Sequence, residues 1–346
     1  YRTANLPAIV NVSTGPGGIN ALTGVYGAYV DSIPLIIISG QVRSDHLVKN
    51  IGRNLRQFGD QEADITLISK PITKSSIQLT KGMDIVQAIT LAFIQGFTEF
   101  LPVSSSAHLI VLPKFLDWPD QGLAFDVILH FATLCAVVLY YRSTLVKLGA
   151  DFFSSVANRR MQGDSLLAWG ILLGTIPVGI TGLLFNDSIE THLRSFEVVA
   201  YATIFFGIML GLSDWVNRSL GKSREMIQGM DILVIGCFQA LALIPGTSRS
   251  GITITAALFI GLSRGLSIKF AFLLSIPVII LATILKTIDL FQESNQIDWL
   301  ILLISFVVAF LASYLTIVFF IRLVERIGFL PFVVYRILLG VLLFLI

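Results

Sequence analysis

The residues able to do chemistry sit in two short polar runs inside an otherwise apolar chain. The first is PVSSSAH, residues 102–108, reached a few positions after the carboxylate Glu99. The second is PGTSRSGIT, residues 245–253, which sets Arg249 among hydroxyls and glycines. Gln95 and Glu99 lie one helical turn apart and share a helix face. An ionisable side chain in apolar surroundings is costly and is a functional candidate by default. A serine beside a histidine and a glutamate supplies the parts for nucleophilic or general-base catalysis. Glu99 can instead hold a divalent cation that bridges phosphates, and Arg249 can give paired hydrogen bonds to phosphate oxygens. Each residue alone has a plainer explanation: a serine can satisfy a carbonyl at a kink, His108 can be interfacial, and Arg249 can anchor a span end. Taken jointly, the two runs read as halves of one site.

Proline and the hydroxyls decide how such a site is carried. Pro102 ends one half-helix, and Ser104, Ser105 or Ser106 can cap the next, placing His108 in its first turn. Pro245 and Gly246 break the second stretch, and Thr247 or Ser248 can cap, with Arg249, Ser250 and Thr253 near the following helix start. A helix N-terminus offers free N–H groups and partial positive charge, so two such tips meeting in the membrane suit a diphosphate.

The chain of 346 residues is 55% hydrophobic with mean hydropathy +0.82, and only 13% of its residues are charged. A soluble domain carries about a quarter charged residues, so this is a polytopic membrane protein. The net charge of +2 says nothing about partners. Cys135 and Cys237 lie in apolar segments and read as buried thiols. Six segments are long enough to span a bilayer: 124–141, 165–185, 196–215, 268–288, 298–320 and 329–346. Two further stretches, 84–116 and 229–262, are interrupted midway and read as re-entrant hairpins. Basic residues concentrate in 142–163, 216–228 and 321–328, which are therefore expected on the cytoplasmic side, while 117–123, 186–195 and 289–298 are mostly acidic. The spans alternate only if both hairpins return to their starting side. The first then enters from outside and the second from the cytoplasm, as an inverted repeat demands. FIQGFTEFLPVSSSAH and CFQALALIPGTSRSGI also share a Gln, a Pro and a hydroxyl cluster, with one residue of slip. His130, within a span, reads as a packing neighbour of the site or a buried structural group.

Residues 1–82 differ in composition. PAIVNVS (7–13) reads as a short strand and IPLIIISG (33–40) as a buried parallel strand, separated by the glycine turn TGPGG and a helix over 19–32. The expected organisation is a small partial α/β segment at 1–77, a linker at 78–82 and an all-α membrane domain of six spans and two re-entrant hairpins at 83–346.

The two polar runs carry a resemblance. QGFTEFLPVSSSAH and PGTSRSGIT, with the ending GFLPFVVYRILLG (328–340), resemble the motifs of the undecaprenyl-diphosphate phosphatases of the bacitracin-resistance type, over residues 83–346. That resemblance implies hydrolysis of undecaprenyl diphosphate to the monophosphate, recycling the lipid carrier of cell-wall synthesis in a bacterial plasma membrane. It also implies a site open to the outer face and a divalent cation, Mg²⁺ or Ca²⁺. Carried over by position, Glu99 is a metal ligand or base, and Gln95 a second ligand position, where glutamine departs from the doubly acidic form. Ser105 is the likelier nucleophile or phosphate ligand beside Ser104 and Ser106, and His108 the catalytic histidine. Thr247, Ser248, Arg249, Ser250 and Thr253 form the phosphate-binding run. Whether a serine or a water attacks phosphorus stays open at this point. The partners implied are a polyprenyl diphosphate lipid and the bilayer, with a homodimer admissible and no nucleic acid. The alternative, from another class, is a secondary transporter or flippase for an anionic lipid or small anion, because broken helices in inverted repeats are also transporter architecture.

STGPGGINALTGVYGAYVDSIPLIIISGQV followed by RQFGDQEADI resembles the pyrimidine-binding domain of thiamine-diphosphate enzymes of the acetolactate-synthase type. In that family the activating glutamate precedes this stretch and a separate domain binds the diphosphate. The expectation is a fragment without thiamine-dependent activity and of low stability, joined by gene fusion or assembly error to a chain whose natural start is Met83.

Overall fold

The computed structural model describes residues 8–41, 61–74, 76, 85–116, 118, 122–193, 195–219, 221, 223–290 and 298–344. The expected linker at 78–82 lies outside them, as do Arg194 and Lys222. The chain divides into two compact units, Tyr1–Asp84 and Ile85–Ile346.

In the first unit, strand β1 (Ala8–Val12), helix α1 (Pro16–Val30) and strand β2 (Leu35–Ser39) form a parallel βαβ unit, with Ala8 opposite Leu35 and Val12 opposite Ser39. A short helix α2 (Ile65–Ser69) runs into a 3₁₀ turn at Lys70–Ile72. Pro16 starts α1 because its missing N–H would have no helical partner there. The strands are apolar on both faces, as central parallel strands are. Yet Ile9 is 67% and Ile38 56% exposed, so the described sheet of two strands leaves that apolar surface uncovered.

Among the described residues the named elements of the second unit are all helices. Its order is α3 (Ile85–Thr98), α4 (Ser105–Phe115), α5 (Leu123–Tyr140), α6 (Arg142–Asn158), α7 (Ser165–His192), α8 (Phe196–Ser219), α9 (Gly229–Ala240), α10 (Arg249–Phe259), α11 (Arg264–Leu290), α12 (Trp299–Ile327) and α13 (Leu330–Phe344). Five helices (α5, α7, α8, α11 and α12) are long and apolar enough to cross a membrane. The sixth expected span is represented by α13, a shorter apolar helix. Three expected loops are more helical than their polarity suggested. Most of 142–163 is α6, α7 continues to His192, and Arg322 and Arg326 ride on the end of α12.

Packing pairs the two halves of this unit in the same pattern. Helix α3 lies on α12 and α9 on α7; α5 lies on α12 and α11 on α7; α5 meets α11, and α8 meets α13. Glycine permits the closest of these approaches, because in apolar surroundings helices associate by tight packing of small residues. A Cβ on Gly96 of α3 would strike the Ala309 carbonyl of α12, and one on Gly236 of α9 would sit 2.9 Å from Gly174 of α7. Helix α10 is the most enclosed element, with Ser250 to Leu258 all buried. Its far end is fastened by charge: Arg264 pairs with buried Asp214 at 2.6 Å, Arg218 pairs with the same carboxylate at 2.9 Å, and Arg224 pairs with Asp231 at 2.9 Å. Cys135 and Cys237 are free thiols, and Cys237 is exposed on the bundle surface rather than buried as expected.

Candidate active site

Each interrupted stretch is two helices separated by a break. Helix α3 ends at Thr98, and α4 starts after Ser104. Helix α9 passes through a 3₁₀ turn at Leu241–Leu243, and α10 starts after Ser248. Among the hydroxyls able to cap, the backbone selects one in each break. Ser104 and Ser248 both sit at φ +70°, and each accepts a bond from the backbone N–H three residues on, Ala107 at 3.3 Å and Gly251 at 3.2 Å. A serine in the left-handed region costs about 1–3 kcal/mol and persists only where its surroundings over-determine it. Each cap oxygen is also bonded to the second serine on, Ser106 at 3.1 Å and Ser250 at 3.2 Å.

The two tips meet. Ser250 Oγ donates to the Leu101 carbonyl at 3.0 Å, and Ser248 Oγ reaches the same oxygen at 3.5 Å. These two hydroxyls join one break to the other. At the junction lies Glu99, 9% exposed. Its Oε2 accepts from Ser105 Oγ at 2.7 Å and from Gln95 Nε2 at 2.8 Å, and its Oε1 is 3.4 Å from Arg249 Nη2. A carboxylate holding a serine hydroxyl on one oxygen and a guanidinium on the other can both polarise the serine and orient the arginine. Arg249 Nη1, Thr247 Oγ1 and Gln95 Oε1 are buried without a partner. Unsatisfied buried donors and acceptors of this kind are costly, and an oxyanion would satisfy the first two. Thr253 Oγ1 donates back to the Arg249 carbonyl at 2.8 Å, which steadies the first turn of α10.

His108 stands apart from this cluster in its bonding. It lies three residues after Ser105 on one face of α4, but its Nδ1 bonds the Ser104 carbonyl at 2.7 Å and its Nε2 the Tyr335 hydroxyl at 2.6 Å. The imidazole of His130 lies on α5. His130 Nδ1 is bonded to the Asp126 carbonyl at 2.8 Å.

Two residues of α13 were not singled out from sequence. Tyr335 meets His108, and Arg336, with no exposed surface, reaches both breaks. Arg336 Nη1 donates to the Pro102 carbonyl at 3.3 Å and Nη2 to the Gly246 carbonyl at 2.8 Å. Nε donates to Thr203 of α8 at 3.0 Å, and Nη2 also approaches the Ala202 carbonyl at 3.5 Å. Its signal in the sequence was present: an arginine in the middle of an apolar span is as costly as a glutamate.

For a divalent cation, the donors here are oxygens of the hard kind: the Glu99 carboxylate and the unpartnered Gln95 amide oxygen. Among the described residues no three His, Cys, Asp or Glu side chains gather to form a cage. The set fits an ion of the Mg²⁺ type, which is held by one or two carboxylates plus substrate phosphates rather than by an all-protein site.

Comparison with known proteins adds the following. Residues 88–342 match the family described as bacitracin resistance protein BacA, and residues 1–65 match the N-terminal TPP-binding domain of thiamine pyrophosphate enzymes. An undecaprenyl-diphosphatase of Ruthia magnifica subsp. Calyptogena magnifica is 54% identical over 262 residues, covering 76% of this chain and 98% of its own length. Undecaprenyl-diphosphatase 2 of Stutzerimonas stutzeri (strain A1501) is 54% identical over 260 residues, 75% of this chain and 96% of its own. An undecaprenyl-diphosphatase of Campylobacter concisus (strain 13826) is 52% identical over 258 residues, 75% of this chain and 97% of its own.

Proposed function

The chain belongs to the bacitracin resistance protein BacA family, and we propose that it hydrolyses undecaprenyl diphosphate to undecaprenyl phosphate and inorganic phosphate, returning the lipid carrier to cell-wall synthesis. One observation carries the chemistry: Ser105 donates to Glu99 at 2.7 Å while Arg249 lies 3.4 Å across the same carboxylate with a buried donor to spare. The terminal phosphoryl group is held by Arg249 and the N-terminal N–H groups of α4 and α10. Ser105 Oγ attacks the terminal phosphorus and its proton passes to Glu99. The bond from phosphorus to the bridging oxygen breaks, and the electron pair leaves on undecaprenyl phosphate, which is a stable anion and needs no proton. Water then attacks the phosphoserine, the neutral imidazole of His108 takes a proton from that water at Nε2, and Ser105 oxygen recovers the Glu99 proton as phosphate leaves. Gln95 and Glu99 are the residues that would hold a Mg²⁺ or Ca²⁺ ion. When bound, such an ion supplies neutralisation of phosphate charge.

The same proposal includes six spans and two re-entrant hairpins entering from opposite faces, with the site open to the outer side of a bacterial plasma membrane. It divides the chain into a thiamine-enzyme-like segment at 1–77, a linker at 78–82 and the phosphatase domain at 83–346. All four groups Glu99, Ser105, His108 and Arg249 come from one chain, so a homodimer would be an assembly of complete sites. A transporter needs groups that bind an anion; it has no use for a hydroxyl already donating to a carboxylate. The test is phosphate release from polyprenyl diphosphate by the purified protein in detergent with Mg²⁺. Release should be lost in Glu99→Ala and in Arg249→Ala, and unchanged release in both variants rejects the site.

A further inference from the structure

Tyr335 is 227 residues from His108 in sequence, yet its hydroxyl lies 2.6 Å from His108 Nε2. The phenol and imidazole rings are also stacked, with centroids 5.8 Å apart and planes inclined by 5°. On the other side of the ring, Nδ1 is 2.7 Å from the Ser104 carbonyl oxygen. A carbonyl oxygen can only accept, so Nδ1 carries the proton and Nε2 of the neutral ring presents a lone pair. The Tyr335 hydroxyl therefore donates to Nε2. The imidazole is fixed at both nitrogens, and only one of those two contacts comes from its own helix.

We propose that Tyr335 is the positioning residue of the hydrolytic step: its donated hydrogen bond holds His108 as the Nδ1–H tautomer with the Nε2 lone pair fixed in direction, and the hydroxyl turns away to give that lone pair to the attacking water. This rests on the phosphatase reading above. The next residue, Arg336, bonds the carbonyls of Pro102 and Gly246, so one turn of α13 sets both the imidazole and the separation of the two breaks. Helix α13 is thus the third element of the site, and the phenol is its adjustable contact: 43% exposed, it can release Nε2 without disturbing the buried arginine beside it.

The experiment is Tyr335→Phe, which keeps the stacked ring and removes only the hydroxyl. Two quantities are read on the full chain in detergent: steady-state hydrolysis of polyprenyl diphosphate, and the ¹⁵N ring resonances of His108, assigned by their loss in His108→Gln. Full general acid–base catalysis contributes about 10²–10⁴-fold, and losing its positioning should lower kcat roughly tenfold or more while KM stays near the wild-type value. The Nε2 resonance should move toward that of a lone pair without a donor, with Nδ1 still protonated. An unchanged kcat overturns the proposal whatever the resonance does. A lowered kcat with unmoved His108 resonances overturns it too, because a structural role would then account for the loss. An inactive wild-type protein would sink the phosphatase reading instead, and the resonance, which needs no turnover, would still decide whether Tyr335 sets the ring.

Discussion

Replacing Arg336 by methionine tests whether the two breaks are held together from α13. The guanidinium donates at 2.8, 3.0 and 3.3 Å to three backbone carbonyls, and no carboxylate pairs with it in those bonds. Bonds from a charged donor are each worth about 1.5–3 kcal/mol net, so three contribute roughly 4.5–9 kcal/mol. Against this stands the cost of burying the charge itself, several kcal/mol, which methionine relieves. The difference predicts a net loss on the order of 2–4 kcal/mol, visible as a lower Tm in detergent. The effect on rate should be larger than the effect on stability. Without the clamp, nothing from α13 holds the Pro102 and Gly246 carbonyls in place, and the breaks can drift. A misplacement of about 1 Å at reacting groups can cost 10²-fold. Arg336→Lys should recover little, because its donors radiate from one nitrogen and cannot span carbonyls in two breaks and in α8. Phosphate-release kinetics and thermal unfolding of the two variants measure both effects. If Arg336→Met keeps wild-type kcat and wild-type Tm, the clamp argument is wrong.

Three more outcomes follow from the same geometry. Ser105→Ala should lower phosphate release about 10²–10⁴-fold with little change in Tm, since Gln95 and Arg249 still engage Glu99; a retained rate would make water the attacking atom. Gly246→Ala should destabilise strongly, because φ is +94° and the new Cβ would lie 2.5 Å from the Val199 carbonyl; Gly261→Ala, at φ +85° in open space, should show only the backbone cost of about 1–2 kcal/mol, and equal Tm losses in the pair would refute the packing argument. Treatment with a chelator should abolish release and added Mg²⁺ or Ca²⁺ should restore it, with Gln95→Ala raising the half-maximal cation concentration roughly tenfold; release that survives the chelator would remove the ion from the reaction.

The places where the helices break were legible because proline, glycine and clustered hydroxyls have no other use in an apolar stretch, and the helices flanking both breaks start and end within a few residues of expectation. Which serine caps was not legible. Three adjacent serines are chemically equal, and the choice falls to Ser104 because that position alone adopts φ +70°. The proximity of Glu99 and Gln95 followed from helical periodicity, whereas the tie from Ser105 to Glu99 needed the turn between them. The contacts of Arg336 and Tyr335 were out of reach for a different reason. Their partners lie 90 to 234 residues away, and most are backbone carbonyls, which every residue possesses and no motif reveals. Segment 142–163 was read as a loop because its charges suggested one, but a helix with polar and apolar faces carries the same charges.

The two breaks share a scaffold and differ in the groups they present, and the difference explains why they make one site and not two. Counting from each cap, a glutamine stands nine residues before, Gln95 and Gln239, and a serine two residues after, Ser106 and Ser250. The expected slip of one residue falls at the prolines, Pro102 two positions before its cap and Pro245 three. One residue after the cap, however, the first break has Ser105 and the second Arg249; five before, Glu99 faces Leu243 in the comparison; four after, His108 faces Ile252. A second glutamate in place of Leu243 would bring two carboxylates to a substrate that is itself anionic, and two like charges in a poorly solvated site are strongly unfavourable. A second arginine in place of Ser105 would bind phosphate but remove the proposed nucleophile. With one acid and one guanidinium the two charges of the junction cancel, and the carboxylate lies between the serine and the arginine. Gln239, at the position matching Gln95, donates to the Gly174 carbonyl at 3.2 Å instead of to a carboxylate. The second break thus keeps the polar framework that fixes its shape and gives up the acid that only one side can use.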